Sequence, residues 1–467
     1  MIKFMITAPS SNTGKTAVTC GLLSLFERKG FDPCAFKCGP DYIDPMFHRS
    51  VMGIPSNNLD VFLAGEDGVR DVFARYSKGH DAAICEGVMG YYDGRTVGST
   101  EASAWHVASL LDIPAILVVR PKGSALTLAA VIKGLAQFRE PSRICGVIFN
   151  DCSEMFYRTY APSIEEESGI PVLGYLPHME EAGFESRHLG LMTAEEIEDL
   201  SERIVRIGYK MDETIDVERL IKVTGWQEGP SGPAWETPAA TTSTADTIME
   251  SIHAPAVTLA VARDAAFNFI YEETLAAFER AGAQIEFFSP IADKELPPKT
   301  CGVYLPGGYP ELYGRELESN TSMRTAIRQA IAGGMPVIAE CGGFLYLGKK
   351  LTDETGKEWE MAGVLPGSSA NTGKLVRFGY GHISGPEDSL ILQPGEQLPV
   401  HEFHYWDTTD AGHDLHFSKA TGARQWDFGF ASATMYAGFP HLYPAGQNGL
   451  IAKRFVDAMR RFGNREK

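Results

Sequence analysis

The chain has 467 residues, of which 44% are hydrophobic and 22% are charged, and its formal net charge is -18. This length is too great for one hydrophobic core and predicts two or three domains of ordinary globular composition. The acidic balance argues against a nucleic-acid-binding protein, because phosphate contacts need a basic surface. No stretch approaches the roughly 20 apolar residues that span a bilayer. The eight cysteines show no paired spacing, so we expect a cytoplasmic protein with reduced thiols.

Short apolar runs alternate with amphipathic stretches through the first half of the chain. Two of the amphipathic stretches, 16–29 and 103–111, are predicted to be helices. The apolar runs predict strands at 3–8, 33–38, 82–85, 113–119, 144–150 and 170–176. Strands that alternate with helices indicate a parallel sheet covered by helices on both faces. The first half is therefore predicted to be an α/β domain.

A candidate phosphate-binding loop, APSSNTGKT at 8–16, joins the first predicted strand to the first predicted helix. In such a loop the backbone N–H groups, here those around Thr13 and Gly14, surround phosphate oxygens. Lys15 would neutralise the terminal phosphates of ATP, and the Thr16 hydroxyl would bind Mg²⁺. The loop is one residue longer than the usual pattern, because its small first residue stands seven positions before Lys15.

Charged residues follow two other predicted strands of this half. The segment FKCGPDYIDP carries Lys37 and Asp41, and the segment EGVMGYYDG carries Glu86 and Asp93. Residues just beyond the carboxyl ends of parallel strands line the ligand crevice of an open sheet. Carboxylates suit Mg²⁺ and a lysine suits a transferring phosphoryl group. The sequence therefore predicts a phosphoryl-transfer site.

The stretch 224–254 is rich in Gly, Pro, Ser and Thr and has no sustained periodicity, which predicts a linker between domains at 1–223 and 255–467. The alternation then resumes. Helices are predicted at 271–281 and 320–332. Strands are predicted at 257–262, 285–289, 303–305 and 336–339. The fold class is thus α/β with two domains, the second beginning after the linker.

A candidate nucleophile, Cys341, stands where an apolar strand runs into two glycines in VIAECGGF. This pattern indicates a strand–turn–helix elbow that exposes the thiol at a helix N-terminus, where the helix dipole is expected to lower its pKa. In LPGGYPE, the backbone N–H groups of Gly307 and Gly308 are candidates for an oxyanion hole, together with that of Gly342.

A thiol nucleophile also needs a base, and three histidines near the end of the chain are candidates. His401 and His404 lie in HEFHYW, and His441 lies in FPHLY. Spacing does not choose between them.

Several segments stand in the order in which one known family carries similar segments. They are FKCGPDYIDPMFH (36–48), NLD (58–60), EGVMGYYDG (86–94), RHLGL (187–191), AFNFIY (266–271), FFSP (287–290), LPGGYPE (305–311), AECGGFLYL (339–347) and HEFHY (401–405). On these segments the chain resembles the cobyrinate a,c-diamide synthase family over nearly its whole length.

The resemblance implies a synthetase domain of the dethiobiotin-synthetase type, with a phosphate-binding loop, joined to a class I glutamine amidotransferase domain. It implies ATP- and Mg²⁺-dependent amidation of the a and c acetate side chains of a cobalt corrinoid in cobalamin biosynthesis, with L-glutamine as the ammonia source. Carried over by motif, Lys15, Thr16, Asp41 and Glu86 fall at nucleotide and metal positions.

The resemblance also assigns roles to residues that the patterns leave unassigned. Lys37 would stabilise the phosphoryl group, and Tyr42, Ile43 and Asp93 match positions associated with the corrinoid carboxylates. Asn150 matches an adenine-contacting position of related synthetases.

The segment GFPHLY aligns with the family's C-terminal histidine pattern and favours His441 as the base. Pro440 and Tyr443 depart from that pattern. The resemblance implies that Cys341 and the histidine work without the third acidic residue of other triads.

Three alternatives remain open at this stage. In the first, the acceptor is a different tetrapyrrole, such as Ni-sirohydrochlorin or hydrogenobyrinate. In the second, the chain is a partitioning or switch ATPase with the same nucleotide fold. In the third, the second domain is an inactive scaffold. Corrinoid, ATP and L-glutamine are the expected partners, a homodimer is a further hypothesis, and neither nucleic acid nor membrane is expected to bind.

Overall fold

The computed structural model of the chain describes residues 1–182, 194–225, 256–422, 424–446 and 449–465. The chain divides into two compact units, one of residues 1–61 and 65–237 and one of residues 62–64 and 238–467. Most of the predicted linker, and the motif at 187–191, lie outside the described residues. None of the helices in the described part is long and apolar enough to cross a membrane.

The first unit contains a seven-stranded sheet whose pairings are all parallel, in the order β3-β2-β4-β1-β5-β6-β7. Its strands are β1 (Ile2–Thr7), β2 (Pro33–Cys38), β3 (Ser56–Leu59), β4 (Ala82–Glu86), β5 (Ala115–Val119), β6 (Ile144–Asn150) and β7 (Val172–Leu176). Its helices are α1 (Lys15–Arg28), α2 (Ile43–Met52), α3 (Val61–Tyr76), which is interrupted at Gly65, α4 (Ala104–Leu110), α5 (Thr127–Gln137), α6 (Glu154–Ser168), α7 (Ala194–Thr214) and α8 (Val217–Val223).

Every residue of β2, β4 and β5 is buried, as expected for strands covered on both faces. Helix α1 covers one face, where Val18, Leu22 and Phe26 join the core formed with Ile6 and Ile84. Strand β1 lies in the middle of the sheet, so the loop that follows it opens between the ends of β4 and β5.

The second unit is built on a six-stranded sheet in the order β20-β21-β11-β10-β8-β9, parallel except at the edge strand β20, with two four-stranded sheets, β13-β12-β14-β17 and β16-β15-β18-β19. The strands of the main sheet are β8 (Val257–Ala262), β9 (Ala283–Phe288), β10 (Thr300–Leu305), β11 (Val337–Glu340), β20 (Phe430–Ala431) and β21 (Met435–Gly438). The other strands are β12 (Lys350–Thr352), β13 (Glu358–Glu360), β14 (Ser368–Asn371), β15 (Arg377–Ser384), β16 (Leu398–His404), β17 (Trp406–Thr408), β18 (Leu415–Lys419) and β19 (Gln425–Phe428).

The helices of the second unit pack on both faces of its main sheet and bury two apolar clusters. They are α9 (Glu272–Arg280), α10 (Gly314–Ser319), α11 (Thr321–Ala332), α12 (Gly342–Leu347) and α13 (Gly449–Gly463). The two-domain α/β prediction is confirmed. Its strand and helix positions agree with the structure to within a few residues, but the short strand β3 and the two four-stranded sheets of the second unit were not predicted.

Candidate active site

The loop after β1 wraps around its own lysine. Gly14 adopts a left-handed backbone conformation with φ 95° and begins helix α1, a geometry that favours glycine. The Lys15 ammonium donates hydrogen bonds to the carbonyl oxygens of Ser10 at 3.1 Å and Met89 at 2.7 Å. Burial and the neighbouring Lys37 lower the pKa of Lys15 to about 8. The side chain therefore joins the loop to the segment after β4.

Asn150 at the end of β6 braces this loop from the other side. Its side-chain amide donates to the carbonyl oxygen of Thr13 at 2.9 Å, and the Thr13 hydroxyl donates to the carbonyl oxygen of Ser10 at 2.8 Å. A Cβ atom on Gly14 would lie 1.9 Å from the Asn150 amide nitrogen. The close packing of Gly14 against Asn150 thus fixes the loop.

The predicted metal residues come together at the end of β4. The Thr16 hydroxyl donates to Glu86 Oε1 at 2.8 Å. Glu86 is 1% exposed, and its Oε2 has no hydrogen-bond partner among the described residues. Burial raises the pKa of Glu86. A threonine hydroxyl beside an unpartnered carboxylate oxygen is the kind of hard-oxygen ligand set that Mg²⁺ takes. The described residues contain no cluster of three or more His, Cys, Asp or Glu placed to bind a metal.

Lys37 lies at the centre of a buried ion network. Its ammonium donates to Glu86 Oε1 at 2.8 Å and to the Asp44 carboxylate, and it lies 3.8 Å from Asp41 Oδ2. Burial alone would lower the pKa of Lys37, but the carboxylates of Asp44, Glu86 and Asp41 raise it well above its usual value. Burial and Asp44 raise the pKa of Asp41 to about 6.

The three residues carried over as corrinoid contacts hold local structure. Tyr42 directly precedes helix α2, and Ile43 is the first residue of that helix. The backbone N–H of Ile43 donates to Asp41 Oδ1 at 2.8 Å, and that of Gly90 donates to Asp93 Oδ2 at 2.9 Å. The structure therefore places Tyr42 and Ile43 beside the ion network, while Asp93 stabilises the turn after β4.

A cavity of about 610 Å³ joins these groups and extends to the ends of β6 and β7. Lys15, Thr16, Lys37 and Glu86 line one part of it. Arg120, Asp151 and His178 form its rim, where Asp151 accepts from Arg120 and lies 2.8 Å from His178 Nδ1. The rim was not predicted, because Asp151 looks like a turn residue until the ends of β5, β6 and β7 are brought together.

In the second unit, Cys341 stands in a strained turn after β11. Its φ is 47° and its ψ is -103°, and such non-glycine outliers cluster at functional sites. Its backbone N–H donates to the carbonyl oxygen of Gly438 at 2.8 Å. This geometry agrees with the predicted elbow.

The predicted exposure and lowered pKa of this thiol are wrong. Cys341 is 9% exposed. Burial raises the pKa of its thiol well above the usual value, and the carboxylates of Glu311, Glu402 and Glu340 raise it further. The following helix α12 has six residues, and its dipole does not outweigh burial among carboxylates.

The glycine loop after β10, which contains Gly307 and Gly308, lies close both to Gly342 and to the candidate base His441. A Cβ atom on Gly342 would lie 2.9 Å from the backbone nitrogen of Gly308, and one on Gly307 would lie 2.6 Å from Cε1 of His441. Strand β11, which ends before Cys341, pairs with both β10 and β21. The structure therefore brings Cys341, His441 and two of the three candidate oxyanion donors, Gly308 and Gly342, to one edge of the sheet.

The three candidate bases have different surroundings. His404 is engaged at both ring nitrogens, which lie 2.6 Å from the Trp406 carbonyl oxygen and 2.9 Å from Glu402 Oε1. His401 is buried, and burial together with His441 lowers its pKa to about 3. His441 lies against Gly307, with its Nδ1 3.5 Å from Glu340 Oε2. This arrangement favours His441, and its role as the base stays a prediction.

Two family models match the chain, one in each unit. The model described as a CobQ/CobB/MinD/ParA nucleotide binding domain matches residues 4–189, and that described as a CobB/CobQ-like glutamine amidotransferase domain matches residues 258–448. A cobyrinate a,c-diamide synthase of Caldanaerobacter subterraneus is 35% identical to this chain, over 99% of each. The chain belongs to the cobyrinate a,c-diamide synthase family. The resemblance found in the sequence is thereby confirmed.

Other members of the cobyrinate a,c-diamide synthase family match over similar lengths. The protein of that name from Clostridium tetani is 36% identical, over 95% of this chain and 97% of the relative. The one from Salmonella typhimurium is 34% identical, over 98% of each. Both units of this chain therefore have counterparts in these relatives.

Proposed function

We propose that the protein is a glutamine-hydrolysing amidoligase, a cobyrinate a,c-diamide synthase that converts the a and c acetate side chains of a cobalt corrinoid to amides with ATP and L-glutamine. The observation that carries the proposal is the presence of two sites in one chain. In one site a phosphate loop lies beside buried carboxylates. In the other, Cys341 and His441 lie beside a glycine loop. The proposed boundaries remain 1–223, 224–254 and 255–467.

The first site would activate the acceptor. A carboxylate resists attack by ammonia because its charge is delocalised and oxide is a poor leaving group. Transfer of the γ-phosphoryl group of ATP to a carboxylate oxygen gives an acyl phosphate and ADP, and ammonia then displaces phosphate. Lys15 and Lys37, which line the cavity, would offset the negative charge that spreads over the phosphoryl oxygens.

Thr16 and Glu86 would hold Mg²⁺. Asp41, which belongs to the same ion network through Lys37, would be a further ligand. When bound, this ion would neutralise charge on the phosphates. Thr13 and Gly14 would contact those phosphates through their backbone N–H groups. Asn150 would support the loop beside the adenine end of the cavity, and Tyr42, Ile43 and Asp93 would shape the corrinoid side.

The second site would supply ammonia. The Cys341 thiol would pass its proton to His441 as sulfur attacks the glutamine amide, and the N–H groups of Gly308 and Gly342 would stabilise the oxyanion. Collapse to a thioester would release ammonia, and water would return the thiol and glutamate. A partitioning or switch ATPase would have no use for this second unit, which the glutaminase family model matches over residues 258–448.

Two variants test the division of labour. Cys341→Ser should lose amidation with glutamine, by at least a hundredfold, and keep amidation with ammonium salts. Lys15→Ala should lose both. Cys301→Ser, a substitution at a partly buried cysteine of β10 in the same unit, is the matched control and should keep both. Equal loss of both reactions in Cys341→Ser, with an unchanged thermal transition, would contradict the proposal.

The same assay identifies the macrocycle. Purified protein is incubated with cobyrinate, hydrogenobyrinate or Ni-sirohydrochlorin, and mass spectrometry counts the amides formed. Two amides on cobyrinate, formed at a higher kcat/KM than on the other macrocycles, would support the assignment. A preference for either alternative would move the activity to that tetrapyrrole and leave the chemistry of both sites unchanged.

A further inference from the structure

The structure places one buried carboxylate directly against the candidate base. Glu340 is 1% exposed and is the last residue of β11, immediately before Cys341. Its Oε2 lies 3.5 Å from Nδ1 of His441. Glu340 precedes the nucleophile in the chain, whereas Gly342 and Gly343 follow it, and the other residues of its strand are apolar.

Two hydrogen bonds fix the position of this carboxylate. Glu340 Oε2 accepts from the Tyr304 hydroxyl at 3.1 Å, and Oε1 accepts from the backbone N–H of Leu442 at 3.1 Å. Leu442 follows His441 in the chain, so one side chain contacts both the histidine ring and the backbone beside it. A carboxylate held at both oxygens is a preorganised partner for an imidazole.

The other nearby acids are occupied or differently placed. Glu402 Oε1 lies 2.9 Å from His404 Nε2, and Arg377 is 3.7 Å from the same oxygen. Glu311 lies in the turn after the glycine loop. Glu340, by contrast, forms an ion pair with His441.

We propose that Glu340 is the positioning residue of the glutaminase site, holding the His441 ring so that Nδ1 faces the carboxylate and Nε2 is left for the Cys341 thiol. This inference rests on the proposed glutaminase function and extends it. It replaces the two-residue site that the resemblance implied with a Cys–His–Glu arrangement whose acid precedes the nucleophile.

The proton transfers follow from this arrangement. The thiol proton moves to Nε2 of His441 as the sulfur–carbon bond forms, and the same proton leaves with ammonia when the carbon–nitrogen bond breaks. Water then gives a proton to His441 while it attacks the thioester, and that proton returns to sulfur as glutamate leaves. The carboxylate of Glu340 takes no part in these transfers and stabilises the imidazolium that forms in each half of the reaction.

The test measures glutamate release from glutamine by the full chain. Glu340→Gln should lower kcat by at least a hundredfold, since loss of the orienting acid in such sites costs on the order of 10²–10⁴, and should change KM for glutamine by less than about threefold. Ammonia-dependent amidation should not change. Glu340→Asp, which keeps the charge, should have a kcat at least tenfold higher than that of Glu340→Gln. Glu396→Gln, at a carboxylate paired with Arg454 in the same unit, is the matched control and should keep full activity.

A double-mutant cycle separates positioning from packing. If Glu340 acts through His441, Glu340→Gln should lower the rate less than about threefold in a His441→Ala background. The inference would be overturned if the rate losses of the two single variants multiplied in the double variant. It would also be overturned if the rate of Glu340→Gln lay within threefold of the wild type. Should Glu340→Gln not fold, the same cycle with Glu340→Asp decides by the same criterion. A wild type that releases no glutamate would overturn the proposed function, and this inference with it, whereas an active wild type with an active Glu340→Gln would overturn the inference alone.

Discussion

The side-chain amide of Asn150 donates a hydrogen bond to the carbonyl oxygen of Thr13 across 137 residues of sequence, at a distance of 2.9 Å. The bond joins the end of β6 to the phosphate loop after β1. The resemblance assigned Asn150 to adenine contact. The structure adds a bracing contact to the loop itself, and the adenine contact stays a prediction.

Asn150→Ala should therefore raise KM for ATP about five- to tenfold, because a lost buried hydrogen bond costs roughly 1 kcal/mol and frees the loop. Gly14→Ala should cost more, since its Cβ would meet Asn150 and its φ is 95°. Steady-state kinetics with ammonium as the nitrogen source measure both. An unchanged KM in Asn150→Ala would show that the loop holds its shape without the bond.

Lys37→Met should destabilise the first unit by about 3–5 kcal/mol, because it leaves the buried carboxylates of Asp44 and Glu86 without their cation. Lys29→Met is the matched control. Its side chain is 41% exposed and pairs with Asp212, and such surface pairs contribute about 0–1 kcal/mol. Calorimetry of the two variants compares the losses. Similar transition temperatures in both would contradict a central role for the Lys37 network.

Cys341 should react slowly with iodoacetamide at pH 8 in the free protein. Burial and the carboxylates of Glu311, Glu402 and Glu340 raise the pKa of the thiol, so the thiolate fraction is smaller than that of an ordinary cysteine. The alkylation rate, followed by peptide mass spectrometry, should still rise with pH above 9. A rate that levels off below pH 8 would reveal a lowered pKa and overturn this expectation.

Glu311→Gln should stabilise the second unit more at pH 8 than at pH 5. Burial raises the pKa of Glu311 from 4.5 to about 7, so between these values the folded state binds more protons than the unfolded state. The free energy of unfolding therefore falls as pH rises through this window, by up to about 3 kcal/mol. The uncharged side chain of the Glu311→Gln variant removes this loss. Transition temperatures at the two pH values measure it. Glu316→Gln, at a half-buried carboxylate beside Arg315, is the control and should show no such gain.

The sequence located the phosphate loop and the nucleophile because both are local. A strand, a glycine turn and a helix follow one another within about fifteen residues, and the chemistry of Lys15 or Cys341 depends on that local order. The alternation of strands and helices gave the α/β class for the same reason.

The sequence could not show what surrounds these residues. The thiol pKa was predicted in the wrong direction, because the local motif shows neither the burial of Cys341 nor the approach of Glu311 and Glu402 from separate segments. Glu340 was overlooked as a partner of His441, because the two residues are 101 positions apart and meet through the pairing of β11 with β21.

By itself, then, the sequence determined the two α/β units, the phosphate loop ending in Lys15 and Thr16, the Cys341 elbow and the family to which the chain belongs. The tertiary structure decided how the charged groups meet. It placed Lys37 between Asp44 and Glu86, braced the loop with Asn150 and set Glu340 against His441. The reason is physical: a motif records local backbone geometry, whereas burial and charge pairing depend on strands that only the folded sheet brings side by side.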